Sequence, residues 1–428
     1  MGKDGKKTLL NGWHISKGAT MAIFAGYDMP LWYASAKEEH LSVLRAAGMF
    51  DTSHMAVLTI EGEGAFDLLQ KTFTQNLSAC IGKNKSPISI GRCVYGAFLN
   101  ETGEVIDDSI IYRTDNSSYM VVVNAGMGGV IAEHLSEYKN NTDITIIDWT
   151  DKLGKIDIQG PMAAKIMRGM LKDPEKIFTH MPYFSFKGNF DGRDGGTEPV
   201  VLKNGVSILF SRTGYTGELG FEVFMDSKYI IEVWEQFLEA GEPYGLLPCG
   251  LAARDSLRAG AVLPLSHQDI GHWKFINHPW IFALPYNDKN DGFTKSFVGS
   301  AALLQTEQSE FTYPFAGQDL RKVSLSDNPV VLHANGKEIG RVLTCVTDMG
   351  IGRIDDKIIS IASPDKPEDF AAKGLCCGFI MVKSALSFGE KVFLQDKRRK
   401  LPVTVVADIR PHRTARKPLS EMLLMNQS

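Results

Sequence analysis

The sequence predicts an α+β fold whose C-terminal part is all-β. Two observations predict this class: a strand–turn–helix segment occurs twice in the first half, and short strands separated by glycine-rich turns dominate after about residue 305. The length of 428 residues suits two or three domains. We therefore expect one region over residues 1–305, built of two intertwined α/β parts, and a C-terminal β-barrel domain over residues 306–428.

The repeated segment covers residues 58–65 (LTIEGEGA) and residues 156–163 (IDIQGPMA). In each copy an alternating strand leads into a glycine turn, and the apolar residues after the turn recur at helical spacing. The offset from 58 to 156 is 98 residues, and it holds along both copies. It indicates two related α/β halves packed into one body, although a chance likeness of two strand–turn–helix units gives the same pattern.

A hairpin is predicted between the two copies. Residues 93–99 and 105–112 have the apolar character of strands, and residues 100–104 (NETGE) between them have turn chemistry. A third strand is expected over residues 119–123.

A second hairpin follows the second copy. Residues 207–210 and 221–225 are its predicted strands, joined by a glycine-rich turn around 213–217 (TGYTG). A helix is expected next, with Ser227 as its N-cap and an apolar face between residues 230 and 238.

The last third of the chain predicts a small β-barrel or sandwich. A polar, turn-rich loop is expected at 287–295 (NDKNDGFTK). Short strands are expected beyond it at 322–325, 329–333, 338–344, 357–360, 378–381, 390–394 and 402–407.

Composition and charge exclude several classes of function. The net charge of −4 gives no broad attraction to nucleic acid or to an anionic membrane, and no stretch approaches the roughly 18 uninterrupted apolar residues of a membrane span. The N-terminal lysines are not followed by the apolar core of a secretory signal, so we expect a cytoplasmic protein. The six cysteines form neither a CxxC pair nor a Cys/His set at zinc spacing, so we expect free thiols and no metal site.

Asp107 and Asp108 are adjacent acids in a predicted strand. Because side chains alternate along a strand, we expect the two carboxylates to face opposite ways, one toward solvent and one toward an apolar or cleft side. A carboxylate beside apolar walls has a raised pKa and can exchange protons near neutral pH. The alternative is that both acids simply begin a strand after a turn.

Glu222 lies on the returning strand of the second hairpin, among Phe221, Val223 and Phe224. The turn before it fits neither GxxxxGK[ST] nor a GxGxxG between a strand and a helix, so nucleotide binding is not predicted. A carboxylate at this place is able to accept from two adjacent N–H donors of a heterocycle. An edge glutamate that faces water is the alternative.

Arg254 and Arg258 share one face of a helix predicted over residues 250–258. Arginine suits bidentate carboxylate binding, and a solvated helix edge is the alternative. For His54 we expect a structural, hydrogen-bonding histidine, because the sequence near it supplies no partner for catalysis or for a metal.

Taken together, six segments resemble the glycine cleavage T-protein family of folate-dependent transferases. They occur in the family's order within about residues 10–415, and the strings around residues 49–55 and 212–218 are long enough to be specific. The segments are 48–55 (GMFDTSHM), 100–108 (NETGEVIDD), 122–125 (VVNA), 159–161 (QGP), 211–222 (SRTGYTGELGFE) and 250–258 (GLAARDSLR).

The resemblance implies a three-domain, cloverleaf-like fold with folate in a central channel. It also implies that Asp108, the second acid of the pair, is catalytic and that Glu222 holds the pterin ring. Arg254 matches the arginine of a family motif that either orients Asp108 or binds the glutamate tail of the folate. The residues that match or look like the lining of the folate channel are Asn124, Tyr95, Tyr112, Tyr183 and Tyr215.

The implied reaction passes a methylene group from an aminomethyl group on the lipoyl arm of a carrier, the H-protein, to tetrahydrofolate. Ammonia is released, and no metal is needed. Two alternatives stay open. Some relatives in this superfamily demethylate small sulfonium or N-methyl compounds with a similar folate cradle, and folate-binding regulatory or repair relatives without transfer activity are expected to lack the catalytic acid.

The sequence departs from the family pattern close to Arg254. Gly260 stands where the family has a glutamate, and Ser266 and His267 replace a tyrosine–glycine pair. These departures bear on the identity of the one-carbon donor more than on folate chemistry. Apparent insertions lengthen the chain at 188–197 and 364–373.

Overall fold

The computed structural model describes residues 5–140, 143–192, 195–305 and 310–424. Within these ranges the α-helices are α1 (Asn11–Ser16), α2 (Ala36–Arg45), α3 (Ala65–Thr72), α4 (Gly128–Glu137), α5 (Ala163–Met170), α6 (Pro174–Phe178), α7 (Ile230–Gly241), α8 (Leu251–Gly260), α9 (Ser300–Leu304) and α10 (Leu419–Leu424). The strands are β1 (Thr20–Phe24), β2 (Tyr27–Trp32), β3 (Ala47–Asp51), β4 (Ala56–Glu61), β5 (Cys93–Leu99), β6 (Val105–Asp115), β7 (Ser118–Val123), β8 (Thr145–Asp148), β9 (Leu153–Gln159), β10 (Phe186–Gly188), β11 (Leu209–Ser211), β12 (Gly220–Asp226), β13 (Leu246–Pro248), β14 (Phe311–Gly317), β15 (Val330–Leu332), β16 (Glu338–Asp348), β17 (Ile351–Ile354), β18 (Lys357–Ser360), β19 (Leu375–Val382), β20 (Lys391–Gln395) and β21 (Lys400–Val405).

The first sheet has five antiparallel strands in the order β5-β6-β7-β4-β8. Apolar residues of α3 and α4 pack with this sheet in a core that includes Leu69, Ile131 and Val121. The register pairs Ile110 of β6 with Val122 of β7. The residues before Ile110 on β6 therefore lie level with the residues that follow the end of β7.

The second sheet has six strands in the order β10-β11-β12-β9-β3-β13, antiparallel except for the pair β13 and β3. Helices α5 and α7 cover it with a core that includes Ile166 and Trp234. Its register pairs Glu222 of β12 with Asp157 of β9.

The two sheets confirm the predicted pair of related halves. In each sheet the three strands that follow the repeated strand in the chain lie on one side of it: β5, β6 and β7 beside β4, and β10, β11 and β12 beside β9. Helices α3 and α5 follow the repeated strands, and their first residues, Ala65 and Ala163, keep the same offset of 98 residues (163 − 65 = 98). The turn glycines Gly62 and Gly160 share a φ of +129°, a backbone conformation that side chains with a Cβ rarely adopt. The offset in the sequence therefore reflects a repeated backbone structure.

The C-terminal part is a closed barrel with the strand order β14-β19-β16-β15-β20-β21. Most of the predicted strands are confirmed within a few residues, and β18 has the predicted bounds. The strand predicted at 322–325 is wrong: Val323 is buried in the barrel core, but the chain there runs into a 3-10 turn at Leu325–Asp327. Strand β14 was not predicted, because Pro314 removes a backbone donor and weakens the strand pattern.

Two smaller expectations concern helix and domain boundaries. Ser227 is not the cap of α7: it lies in a 3-10 turn before the helix, and Asp226 Oδ1 accepts from the backbone N–H of Lys228 at 3.0 Å.

The predicted boundary between residues 305 and 306 adjoins residues 306–309, which lie outside the described residues. Across the four described ranges, no helix is both long enough and apolar enough to span a membrane.

Candidate active site

A cavity of about 1410 Å³ opens between the two sheets, helix α8 and the barrel. Most small-molecule sites have roughly 300–1000 Å³, so this cavity has room for a large ligand and for part of a second one. Of the sequence-predicted site residues, it brings together Tyr95, Asp108, Asn124, Tyr183, Tyr215, Glu222 and Arg254. Tyr112 is fully buried behind the wall, and its hydroxyl donates to Glu222 Oε2 at 3.3 Å.

Asn124 bridges Asp107 and Asp108 from the residue that follows β7. Its side-chain amide donates to Asp107 Oδ1 at 2.8 Å and to Asp108 Oδ1 at 2.9 Å, and its backbone N–H donates to Asp107 Oδ2 at 2.9 Å. The expectation that one carboxylate of the pair faces solvent is wrong, since Asp107 is fully buried and Asp108 lines the cavity. Strand alternation predicts which face of the sheet a side chain occupies, but not which other segments pack on that face. Here Ser266, from a segment distant in sequence, packs on the face of Asp107 and donates to its carboxylate.

The surroundings of Asp108 place its ionisation near neutral pH. Burial, together with the adjacent charge of Asp107, raises the pKa of Asp108 to about 6. Tyr95 Oη donates to Asp108 Oδ2 at 2.8 Å, and burial and the Asp108 charge hold the pKa of Tyr95 well above its usual value. Tyr95 therefore remains a proton donor to Asp108 at neutral pH, and Asp108 can take or give a proton there, as general acid–base chemistry requires.

Glu222 lies on β12, an interior strand between β11 and β9, and is 7% exposed. The interpretation of Glu222 as an edge glutamate facing water is therefore wrong. Lys155 Nζ donates to its Oε1 at 2.7 Å, and the Thr213 hydroxyl donates to its Oε2. The carboxylate is thus fixed in position at the cavity wall, where its oxygens can accept further N–H donors.

Two charged residues that the sequence analysis missed, Lys155 and Asp157, lie behind Glu222 on β9. Lys155 Nζ donates to Asp157 Oδ1 at 2.5 Å, and Arg254 Nη1 donates to Asp157 Oδ2 at 2.8 Å. Burial alone would raise the pKa of Asp157, but Lys155 and Arg254 hold it below its usual value. The signal was present, since charges alternate within the otherwise apolar residues 153–159, and a buried strand tolerates charge only when it is paired.

Arg254 is held in the cavity wall by this charge network. Its side chain is 13% exposed, and its guanidinium lies 4.8 Å from the centre of the Tyr215 ring. The solvated helix edge considered for α8 is therefore wrong. On the same helix Arg258 also lines the cavity, but it is buried and binds Asp255, Asp269 and Thr344, so its guanidinium ties α8 to the barrel.

Aromatic side chains supply the apolar walls of the cavity. The Tyr183 ring lies under Arg416, with 5.4 Å between the guanidinium carbon and the ring centre. The Tyr95 ring lies 5.8 Å from that of Phe282, which also lines the cavity. These flat surfaces suit stacking on a planar heterocycle or a benzoyl ring.

His54 lines the cavity and is 2% exposed. The structural hydrogen bond expected for it is missing at Nδ1, which has no partner among the described residues. Burial lowers the pKa of His54 to about 4, so the ring is neutral at pH 7. The cavity is therefore lined here by a neutral imidazole whose buried Nδ1 is unpaired among the described residues.

The departures from the family pattern have structural counterparts. A Cβ on Gly260 would overlap the carboxylate of Asp348, which comes from β16 of the barrel and is bound by Arg410 and His40. The space that a glutamate at residue 260 needs is therefore filled by another acid. His267 has a φ of +63°, a conformation that glycine adopts without strain.

The remaining predictions concern insertions and metal binding. Residues 364–373 form an exposed loop, whereas the other insertion, 188–197, includes residues 193–194, which lie outside the described residues. Within the part of the chain that the structure describes, no three His, Cys, Asp or Glu side chains are grouped to hold a metal ion, and the six cysteines are free.

Comparison with known proteins identifies the family. The model of the GCVT N-terminal domain matches residues 10–273. An aminomethyltransferase of Symbiobacterium thermophilum is 32% identical over 345 residues, which cover 79% of this chain and 85% of that protein. One from Caldanaerobacter subterraneus subsp. tengcongensis is 33% identical over 370 residues, covering 84% and 90%. One from Streptomyces avermitilis is 37% identical over 263 residues, a match that spans 61% of this chain and 64% of the relative's length.

A solved structure shows the same fold. The crystal structure of glycine cleavage system aminomethyltransferase T from Bartonella henselae matches with a TM-score of 0.73 over 94% of this chain and 96% of that one, at 24% sequence identity. The family model covers more than half of the chain, and the Symbiobacterium and Caldanaerobacter relatives exceed 30% identity over most of it. The chain therefore belongs to the GCVT family, the aminomethyltransferase T-proteins of glycine cleavage.

Proposed function

We propose that this protein is the aminomethyltransferase of glycine cleavage, which moves the methylene carbon of an aminomethyl group from a lipoylated carrier to tetrahydrofolate and releases ammonia. The observation that carries the proposal is the Asp107–Asp108 pair in the wall of a cavity large enough for folate and the end of a lipoyl arm. Family membership supplies the reaction class, and the acid pair supplies a group suited to perform it.

The cavity residues suit a reduced folate. Glu222 presents a buried carboxylate, and a pterin ring carries the adjacent N–H donors that such a group accepts. The Tyr95 and Tyr183 rings offer flat apolar surfaces to the pterin and benzoyl groups.

Asp108 is the residue we assign to proton handling. Tetrahydrofolate, when bound, supplies the nucleophilic nitrogen that takes up the carbon. Asp108 holds or accepts the proton that this nitrogen loses, and Tyr95 and Asn124 keep its two oxygens oriented toward the cavity. With a pKa of about 6, Asp108 is mostly a carboxylate at pH 7.5 and therefore available as a base.

Glu222, fixed by Lys155 and Thr213, orients the heterocycle. Arg254, bound to Asp157 and packed over the Tyr215 ring, belongs to the same charge network in the cavity wall.

A product analysis tests the proposal. The protein is incubated with tetrahydrofolate and either an aminomethyl-loaded lipoyl carrier or small sulfonium and N-methyl donors, and the folate product is identified. Methylenetetrahydrofolate and ammonia from the loaded carrier are expected. Asp108→Asn should abolish this turnover while tetrahydrofolate binding persists, and Asp115→Asn, on the same strand outside the cavity, is the matched control.

The departures at Ser266 and His267 beside the acid pair favour one second candidate, a tetrahydrofolate-dependent demethylase of a small methylated compound. Methyltetrahydrofolate from a small donor, with no product from the loaded carrier, would establish that candidate and refute the first. A folate-binding protein without transfer activity is disfavoured, because Asp108 is present and its pKa is raised.

A further inference from the structure

Residues 266 and 267, which are distant in sequence from the acid pair, contact it through Asp107. Ser266 Oγ donates to Asp107 Oδ1 at 2.8 Å, and His267 Nε2 lies 3.6 Å from the same oxygen. Ser266 is buried, whereas 46% of the His267 side chain is exposed. Neither residue belongs to the cavity lining, while Asp108 does.

The backbone of this segment is fixed in an uncommon conformation. His267 has a φ of +63°, in the left-handed region that few residues with a Cβ adopt. Asp269 stabilises the bend, because it accepts from the backbone N–H of Leu265 at 2.9 Å and is itself bound by Arg258 and Thr344. The contacts of Asp269 therefore fix the loop that holds the His267 imidazole beside Asp107.

We propose that Ser266 and His267 are positioning residues for the transfer reaction: they hold the Asp107 carboxylate and, through the Asn124 amide that Asp107 shares with Asp108, set the orientation and charge of Asp108. The transfer reaction itself is the function proposed above. Asn124 has only two amide hydrogens, and they bind both acids, so a change at Asp107 is transmitted to Asp108 by one side chain.

The charge of His267 acts on Asp108 in addition to the hydrogen bonds through Asn124. Contact with the Asp107 carboxylate, together with the charge of Asp108, raises the pKa of His267 and so favours its cationic form. A cation there offsets the charge of Asp107, and that charge is one of the two causes that raise the pKa of Asp108. The other titratable groups that face the pair are Tyr95 from β5 and Tyr215 from the loop before β12.

The link can be tested without any substrate. The protein is labelled with ¹³C in the aspartate side-chain carboxyls, Asp108 is assigned by comparison with Asp108→Asn, and its titration midpoint is followed by NMR. In His267→Gly and in His267→Gln the midpoint should rise by about half a pH unit, because a nearby cation is lost from a half-exposed position. Glycine suits the local φ, so His267→Gly is expected to fold.

His180→Gly is the matched control, since His180 also has a positive φ (+52°) and lies outside the cavity lining. Its Asp108 midpoint should equal that of the wild type. An unchanged or lowered midpoint in both His267 variants, or the same rise in His180→Gly, would overturn the proposal.

A kinetic arm separates this proposal from the proposed function. With loaded carrier and tetrahydrofolate, Ser266→Ala should lower kcat at least about fivefold while the KM for tetrahydrofolate stays within twofold. The acid limb of the pH profile of kcat should shift to higher pH in His267→Gln by the amount that NMR measures.

If the wild type turns over no donor while the NMR midpoints move as expected, the proposed function fails and the link to Asp108 stands. If the wild type is active and Ser266→Ala has normal kcat, the positioning role is refuted.

Discussion

Replacing Asp108 with asparagine should stabilise the protein at neutral pH, and the gain should disappear in acid. In the folded protein the pKa of Asp108 is about 6, against a usual value of 3.8. The difference corresponds to about 3 kcal/mol of folding free energy. Because the folded pKa is the higher one, the contribution of Asp108 to stability is complete well below its usual pKa and is lost as pH rises through 6.

The asparagine variant does not ionise, so it escapes this loss. It loses part of the Tyr95 hydrogen bond at every pH, because an amide nitrogen does not accept from Tyr95 Oη. The test therefore compares the free energies of unfolding of variant and wild type and follows how their difference changes with pH. The lost Tyr95 hydrogen bond contributes equally at every pH and cancels from that change. The variant should gain about 2.4 kcal/mol relative to wild type between pH 4 and pH 7.5, since part of the total is already lost at pH 4.

Urea unfolding followed by tryptophan fluorescence, at half-unit steps from pH 4 to pH 8, measures this difference. Asp115→Asn serves as the control on the same strand. A stability difference that stays flat over this range, or that favours the variant more in acid, would show that Asp108 is not held as a costly buried acid. Full transferase activity in Asp108→Asn would separately refute its catalytic role.

Other predictions concern the charge network and the barrel contact. Glu222→Ala should raise the KM for tetrahydrofolate at least about tenfold with a smaller change in kcat, as steady-state kinetics can show. Lys155→Met should cost about 3–5 kcal/mol in unfolding experiments, since it leaves Glu222 buried without its cation, and adding Glu222→Gln should recover part of the loss. Gly260→Glu restores the family residue, but Asp348 and Arg410 fill the space it needs. The variant should lose about 1–3 kcal/mol of unfolding free energy and show a lower thermal midpoint. A thermal midpoint equal to that of wild type would show that the site tolerates the larger side chain.

Local patterns were sufficient to predict much of the fold. The alternation in residues 93–99 and 105–112 predicted β5 and β6, and the 98-residue offset predicted two related sheets, because turn glycines and apolar spacing act within a few residues. The missed strand β14 shows the limit. Its Pro314 weakens the local signal, and pairing with β19 and β21 fixes the strand nonetheless.

The sequence predicted only some of the residues of the candidate site. Asp108 and Glu222 were identified by resemblance, but Lys155 and Asp157 were passed over although they lie on the apolar strand β9. Their importance depends on Arg254 and Glu222, which approach from α8 and β12. Interactions between elements so distant in sequence leave no local pattern, so reasoning along the chain does not recover them.

The sequence by itself determined the class of fold, the family and the identity of the acid pair, because these depend on short segments whose chemistry is local. Only the tertiary structure decided how that pair is held. Asn124 meets both carboxylates because the β6–β7 register places it there, and Ser266 and His267 reach Asp107 because the chain after α8 returns to β6. A pKa near 6 for Asp108 results from that burial and that neighbouring charge, and neither exists until the distant segments are packed together.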